Sequence, residues 1–232
     1  MNAMATPHTG EDSFPMPPVV SQNDWKAARD RLLIEEKAAT RHLDAIAAGR
    51  RRLPMFRIDK DYVFEGKNGN VRLLDLFEGR RQLIVYHFMY GPEWETPCPG
   101  CSRRIDDVGH LAHLHARDTT FAVVALAQYD RLRALKQRKG WTVPFYSSHE
   151  SDFNVDMGTT VDDDEEFRLS VFFRDKEDAI YCSYQTGGRG VEPAGFRHLL
   201  DMTPYGRQED WEDSPEGWPQ SPTYDWGSDR DE

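Results

Sequence analysis

Two cysteines, Cys98 and Cys101, stand three positions apart in the stretch "MYGPEWETPCPGCSRRIDD", with Pro99 and Gly100 between them. A CxxC pair can act as a redox dithiol, supply half of a zinc site, or be two structural thiols that happen to be neighbours. On a helical turn, residues three apart share a face with about 5–6 Å between side-chain origins, within reach of a disulfide. The apolar run "QLIVYHFM" lies just upstream and has the length and β-branched content of a buried strand. The pair is therefore expected near a strand end, opening a helix. Free N–H groups and the positive dipole end stabilise a thiolate at a helix start, and the thiolate is the nucleophile in disulfide exchange. This order predicts Cys98 as the exposed attacking thiol and Cys101, one turn deeper, as the resolving one. Pro99 stiffens the turn and removes a donor, whereas Gly100 leaves room for close approach. Trp94 is expected either to shield the pair from water or simply to pack beside it. Arg103 and Arg104 favour a nearby thiolate, and Glu93 and Glu95 oppose it.

The zinc alternative needs further ligands, and His110, His113 and His115 follow closely. If they continue one helix, His110 lies nine residues past Cys101, about 13 Å along the axis. Zinc holds its ligands at about 2.0–2.3 Å, so one ion cannot take both ends. No metal site within one chain is expected, and a zinc-bridged dimer would need two CxxC pairs facing each other. The three histidines are expected on a solvated helix face. Cys182, inside "LSVFFRDKEDAIYCSY", is expected as a packed thiol in a hairpin strand.

The rest of the chain must position this pair. Its 232 residues carry 29 Lys and Arg against 40 Asp and Glu, a net charge of −11, which argues against nucleic acid or an anionic membrane surface as partner. No apolar run approaches the roughly 20 residues of a membrane helix. Three cysteines in so long a chain do not make a disulfide framework, so a cytoplasmic location is the default expectation. No GxGxxG fingerprint is present, and no bound nicotinamide, flavin or other cofactor is expected.

Four segments are expected. Residues 1–20 read as a Pro-rich disordered leader. Residues 21–53 read as an amphipathic helix, opened by a capping box at Ser21 and Asp24, with Trp25, Ala28, Leu32, Ala39, Leu43 and Ile46 on one face. That stripe would either pack on the chain's own sheet or support a homodimer. Residues 208–232 form an acidic tail, and with "DDDEE" at Asp162–Glu166 it is expected to be solvated. Between them, residues 54–207 alternate elements. A small hairpin around Asn68-Gly69 is followed by a strand, a helix from the CxxC to about Ala116, and the strand "FAVVALA". A helix from near Asp130 to Gly140 comes next, then the short strand "TVPFYSS", a hairpin turning at Asp175–Asp178, and a last helix at Phe196–Leu200. The result is an α/β domain, a mixed central sheet with helices on both faces, and this order with CxxC after the first central strand is that of the thioredoxin fold.

The stretches "WKAARDRLLIEEKAATRHLDAIAAGRRRLP", "LFEGRRQLIVYHFM", "CPGCSRRIDD", "KGWTVPFYSSHESDFNVDM" and "LLDMTPYGR" together resemble the bacterial family called domain of unknown function 899, thioredoxin-like proteins described as dithiol-disulfide oxidoreductases. The resemblance implies a thioredoxin-like fold, redox work by Cys98 and Cys101, and a protein or small-molecule thiol or disulfide as partner. Asp106 matches an acidic position in the helix after the CxxC. Trp141, Pro144, Ser147, Ser148, Asp152, Phe153 and Asn154 match a "GW, P, SS, DFN" signature, which would either line the reactive edge or brace its loops. Active thioredoxin-like proteins usually carry a cis proline before the hairpin strand facing the CxxC, and here "DDDEEFRLSVFF" has none. The small hairpin also resembles that of peroxiredoxin-like members, which adds a peroxide to the substrates to be considered. The rivals are a non-enzymatic binding or assembly module and the zinc-bridged dimer.

Overall fold

A computed structural model describes residues 19–162, 164–187, 199–201 and 203–222, with Arg103 described by its backbone alone. The elements in chain order are α1 (Gln22–Arg50), β1 (Phe56–Ile58), β2 (Val63–Gly66), β3 (Gly69–Arg72), a 3₁₀ turn (Asp75–Phe77), β4 (Gln82–His87), α2 (Pro99–Asp106), α3 (Ala112–His115), β5 (Thr119–Ala125), α4 (Tyr129–Lys139), β6 (Phe145–Ser147), α5 (Phe153–Asp156), β7 (Thr160–Val161), β8 (Asp164–Glu165), β9 (Arg168–Arg174) and β10 (Ile180–Gly187).

Every residue of β4 and β5 is buried, as the unbroken apolar runs require of strands covered on both sides. Successive side chains point to opposite faces. Ile84, Tyr86, Phe88, Phe121, Val123 and Ala125 enter one apolar cluster, joined by Cys101 and Ile105 of α2, Leu114 of α3, and Leu132 and Leu135 of α4. Leu83, Val85, Ala122 and Val124 enter a second, closed by Leu76 and Phe77 of the 3₁₀ turn and by Phe153 of α5. Helical elements thus cover both faces. The eight-stranded sheet runs β1-β10-β9-β4-β5-β6-β2-β3. β4, β5 and β6 are parallel, while β9 lies antiparallel to β4 and β10 antiparallel to β9. The succession β5-β4-β9-β10, with the CxxC leaving β4, is the core order of a thioredoxin-like fold.

The chain divides into two compact units at His42/Leu43. The described part of the first is helical, opened by Ser21, whose Oγ accepts the Asp24 N–H at 3.2 Å, one half of the expected capping box; the Asp24 carboxylate accepts from the Ser21 hydroxyl, at 2.6 Å. Within the helix, Trp25, Leu32, Leu43 and Ile46 are exposed, and the buried residues of α1 are Ala47 and Ala48. Small alanines let the helix end approach its neighbours more closely than the large apolar positions allow.

Several boundaries differ from the sequence expectation. The hairpin loop is Lys67-Asn68, one residue earlier than expected, because Gly69, at φ 97°, pairs with Gly66. The helix expected from the CxxC to Ala116 is broken between Asp106 and Ala112. Gly109 falls in the gap, and the His110 Nδ1 accepts the Ala112 N–H at 3.1 Å, restarting the chain as α3. The spacing argument against a shared metal therefore loses its premise. Among the described residues, however, no three His, Cys, Asp or Glu side chains are grouped so as to hold a metal ion. α4 stops at Gly140, at φ 69°, whose N–H turns back to the Lys136 and Gln137 carbonyls.

Two acidic segments expected to be solvated are partly buried. Glu165 of the "DDDEE" run is 4 % exposed, and in the tail Glu209 and Glu212 are buried. Residues 208–222 fold back on the second unit. The Arg51 guanidinium donates to Glu212 at 3.3 Å and to the Asp213 carbonyl at 2.8 Å, and Glu209 bridges to Ser221. The leader (residues 1–18) and residues 223–232 lie outside the described residues, as does most of the expected last helix. Of that helix Leu199 and Leu200 are described, and both are buried. No described helix is long and apolar enough to cross a membrane.

Candidate functional site

The end of β4 leads through Phe88 and Met89 into a loop that returns to Met89. The Cys98 N–H donates to the Met89 carbonyl at 3.0 Å, which fixes Cys98 at the sheet edge. Pro99 then opens α2, a favoured first helical position because its absent N–H would have had no partner. The Ser102 N–H and hydroxyl both return to the Cys98 carbonyl, at 3.1 and 3.2 Å. Cys98 is half-buried and Cys101 buried, and both are free thiols. A Cβ on Gly100 would lie 3.7 Å from the Cys98 sulfur, an ordinary contact.

The loop before Cys98 is held by a residue that the sequence did not single out. Arg131 of α4 donates to the Pro92 and Trp94 carbonyls and, at 2.9 Å, to the Tyr90 hydroxyl, while its guanidinium lies 4.6 Å from the Tyr90 ring centre. Trp94 packs against the first cluster and folds over Gly91, where a Cβ would come within 2.8 Å of the indole nitrogen. In "YDRLRALKQRK" Arg131 is one basic residue among several, and nothing in its spacing marks it.

Below the dithiol lies Tyr86. It is 2 % exposed, shares the first cluster with Cys101, and its hydroxyl makes no hydrogen bond of normal geometry with the described residues. It faces the Cys101 sulfur. Burial pushes the Cys101 thiol up to about 11, opposed by the Tyr86 hydroxyl and by a backbone hydrogen bond from Met89, both favouring its thiolate. Burial first, and then the neighbouring Cys101, raise the Tyr86 phenol itself. A cavity of about 240 Å³ adjoins this group, with Tyr86, Arg104, His110 and His113 in its wall. The stretch before β9, where a cis proline is usual, ends in Phe167. Its ring packs on the first cluster, beneath the Arg104 guanidinium at 4.5 Å. The Arg103 side chain lies outside the described residues; Glu93 and Glu95 are exposed.

The signature residues have separate places. Trp141 reaches the CxxC helix, its Nε1 donating to Asp106 Oδ1 at 2.7 Å, so two positions taken from the family pattern meet each other. The Pro144 carbonyl accepts the Val123 N–H at 2.9 Å, where β6 joins β5. Ser147 donates to the Ala127 carbonyl at 2.8 Å. Ser148 donates at 2.8 Å to Asn154, whose amide donates at 2.8 Å to the buried Glu165, itself bonded by Thr160. Asp152 is exposed and pairs with Lys60 at 2.6 Å. The Ser147, Ser148 and Asn154 bonds brace loops at the ends of β5 and β6.

Behind them, on the second face, His87 is fully buried and stacks on Phe153, with ring centres 5.4 Å apart. Gln185 donates to Ser170 at 3.0 Å, the Ser170 hydroxyl is hydrogen-bonded to His87 Nε2 at 2.8 Å, and His87 Nδ1 lies 3.5 Å from the Thr159 hydroxyl. Cys182 lies in the second cluster, across the sheet from Cys101, as a packed thiol.

Among solved structures, the chain is similar to peroxiredoxin Q of Xanthomonas campestris (12 % identity, covering 62 % of this chain and 89 % of that one, TM-score 0.46). It is also similar to peroxidoxin BcpB of Mycobacterium tuberculosis (11 %, 58 % and 85 %, 0.44) and to a protein titled a putative thiol:disulfide interchange protein DsbE from Chlorobium tepidum (14 %, 60 % and 89 %, 0.40). No curated protein matches the sequence. The profile of the family described as bacterial protein of unknown function (DUF899) matches residues 14–232, nearly the whole chain, and the chain belongs to that family.

Proposed function

We propose that the chain is a dithiol-disulfide oxidoreductase of the cytoplasm in which Cys98 attacks and Cys101 resolves. The observation that carries this is the pairing of a half-buried Cys98, at the start of α2, with a buried Cys101 one turn behind it. The helix start offers N–H groups and a dipole to negative charge on Cys98. The Cys98 thiolate attacks a disulfide RS–SR′, forming Cys98–S–SR and releasing R′S⁻, which takes a proton. Cys101 loses its proton and attacks the Cys98 sulfur, closing the intramolecular disulfide and releasing RSH. Two cysteine thiols are oxidised and one disulfide is reduced to two thiols. The partner is a protein or small-molecule disulfide, and the electrons are restored by another thiol system.

The test is equilibration of metal-free protein in graded thiol/disulfide buffers, read by mass-resolved thiol labelling. Cys98 and Cys101 are expected to interconvert as one two-electron couple between about −120 and −270 mV, the span of known exchange proteins. Cys98→Ser is expected to lower disulfide turnover by at least about a thousandfold with an unchanged melting transition, and retained turnover would overturn the mechanism. If the pair never closes across that range, the redox reading fails. Metal content and the effect of a chelator on dimerisation then separate a zinc-bridged dimer from a binding module.

A further inference from the structure

We propose that Tyr86 is a catalytic residue of this dithiol: its hydroxyl hydrogen-bonds the Cys101 sulfur as that sulfur becomes a thiolate, and so speeds the resolving step. The inference rests on the redox reading of Cys98 and Cys101.

Tyr86 is the one hydroxyl-bearing side chain in the strand run "QLIVYHFM", and β4 turns it toward the CxxC helix rather than toward the polar network that engages its neighbour His87. A hydroxyl taken out of water normally finds a partner, since an unpaired one is unfavourable. Among the described residues Tyr86 has no hydrogen bond of normal geometry while Cys101 is a thiol, although its hydroxyl already stands close enough to that sulfur to favour the thiolate. A sulfur that gains negative charge gives the hydroxyl an acceptor, so the interaction is stronger in the transition state than in the resting enzyme. The ionisable groups around the hydroxyl are Cys98 just before α2, Cys101 and Arg104 on it, and Asp107, His110 and His113 around the adjoining cavity. Burial keeps the phenol protonated, so Tyr86 donates a hydrogen bond without giving up its proton. The Cys101 proton leaves with the departing RS⁻ as RSH, and the electron pair of Cys101 forms the new S–S bond.

The experiment uses the full chain and an aromatic disulfide whose released thiolate is coloured, followed by stopped flow. Wild type is expected to release two thiolates per chain, the first on attack by Cys98 and the second on resolution, whereas Cys101→Ser releases one. In Tyr86→Phe the ratio of the second rate to the first is expected to fall by about ten- to a hundredfold, with its pH midpoint moved upward. A ratio within about twofold of wild type, or equal slowing of both phases, overturns the role of Tyr86 and leaves the dithiol reading standing. One thiolate from wild type overturns both. Should Tyr86→Phe fail to fold, 3,5-difluorotyrosine at position 86 keeps the ring and makes the hydroxyl a stronger donor. It is expected to raise the ratio and move the midpoint downward, and an unchanged ratio overturns the proposal.

Discussion

Tyr86 and His87 are neighbours in one strand, both almost fully buried, and face opposite sides of the sheet into two different kinds of interior. On the side of His87 the polar groups close on one another: Gln185 to Ser170 to His87, and Ser148 to Asn154 to Glu165. On the side of Tyr86 the surroundings are apolar, and its hydroxyl is left over beside two thiols. The cysteines repeat the contrast. Cys101 and Cys182 are 3 % and 2 % exposed, and burial pushes their thiols to about 11 and about 12. Only Cys101 has a second cysteine and a spare hydroxyl beside it, while Cys182 points its thiol at the Tyr184 carbonyl, 3.8 Å away. Burial and a displaced pKa are thus shared by both faces. What distinguishes the candidate chemistry is a polar group whose hydrogen-bonding capacity is not already used.

The division can be broken by damaging one face and reading the other. Phe153 packs edge-on against Tyr62 and Phe64, at 5.1 and 4.9 Å, and also meets His87 and Phe172. Phe153→Ala is expected to cost about 3–5 kcal/mol in denaturant unfolding while leaving the Cys98/Cys101 potential where it was. A displacement of the potential by more than about 30 mV would show that the faces are coupled. Glu165→Ala is expected to do less, about 1–3 kcal/mol, because it strands the Asn154 amide without opening a large cavity. If that substitution changed exchange kinetics more than stability, the network would belong to the site and not to its support.

Much of this arrangement could be read from residue types. The run "QLIVYHFM", the CxxC after it and the Gly140 stop place the dithiol at the edge of a parallel pair, since apolar runs, helix starts and glycine caps are local signals. The break after Asp106 was less legible, because Val108, Leu111 and His115 keep the helical period across it while the interruption depends on one glycine and one capping histidine. The burial of Glu165 and of the Glu209–Glu212 segment was illegible for another reason. An acidic run reads as solvated until partners distant in sequence, Asn154 for one and Arg51 for the other, are seen to meet it. The same holds for Arg131 and Tyr86, whose roles come from what the fold sets opposite them.

The remaining expected effect concerns pH, and its sign separates His87 from Glu165 within the second face. Burial, then the nearby Arg168, lower the His87 pKa to about 3, against an ordinary value of 6.5. Between these values the unfolded chain binds a proton that the folded chain does not. Stability is therefore full above about pH 6.5 and falls as pH drops, by about 1.4 kcal/mol per unit. Glu165 acts in the opposite sense, since burial raises its pKa in the fold and its contribution declines as pH rises. The difference between wild type and His87→Gln at each pH isolates the histidine. That difference is expected to shrink steadily from pH 6.5 to pH 4, at close to one proton's worth of slope, without any matching change in the dithiol potential relative to the variant. A flat difference would mean that His87 is charged in the fold. The second face would then hold an unneutralised cation, and it could no longer be contrasted with the first as the face where every polar group of its network is satisfied.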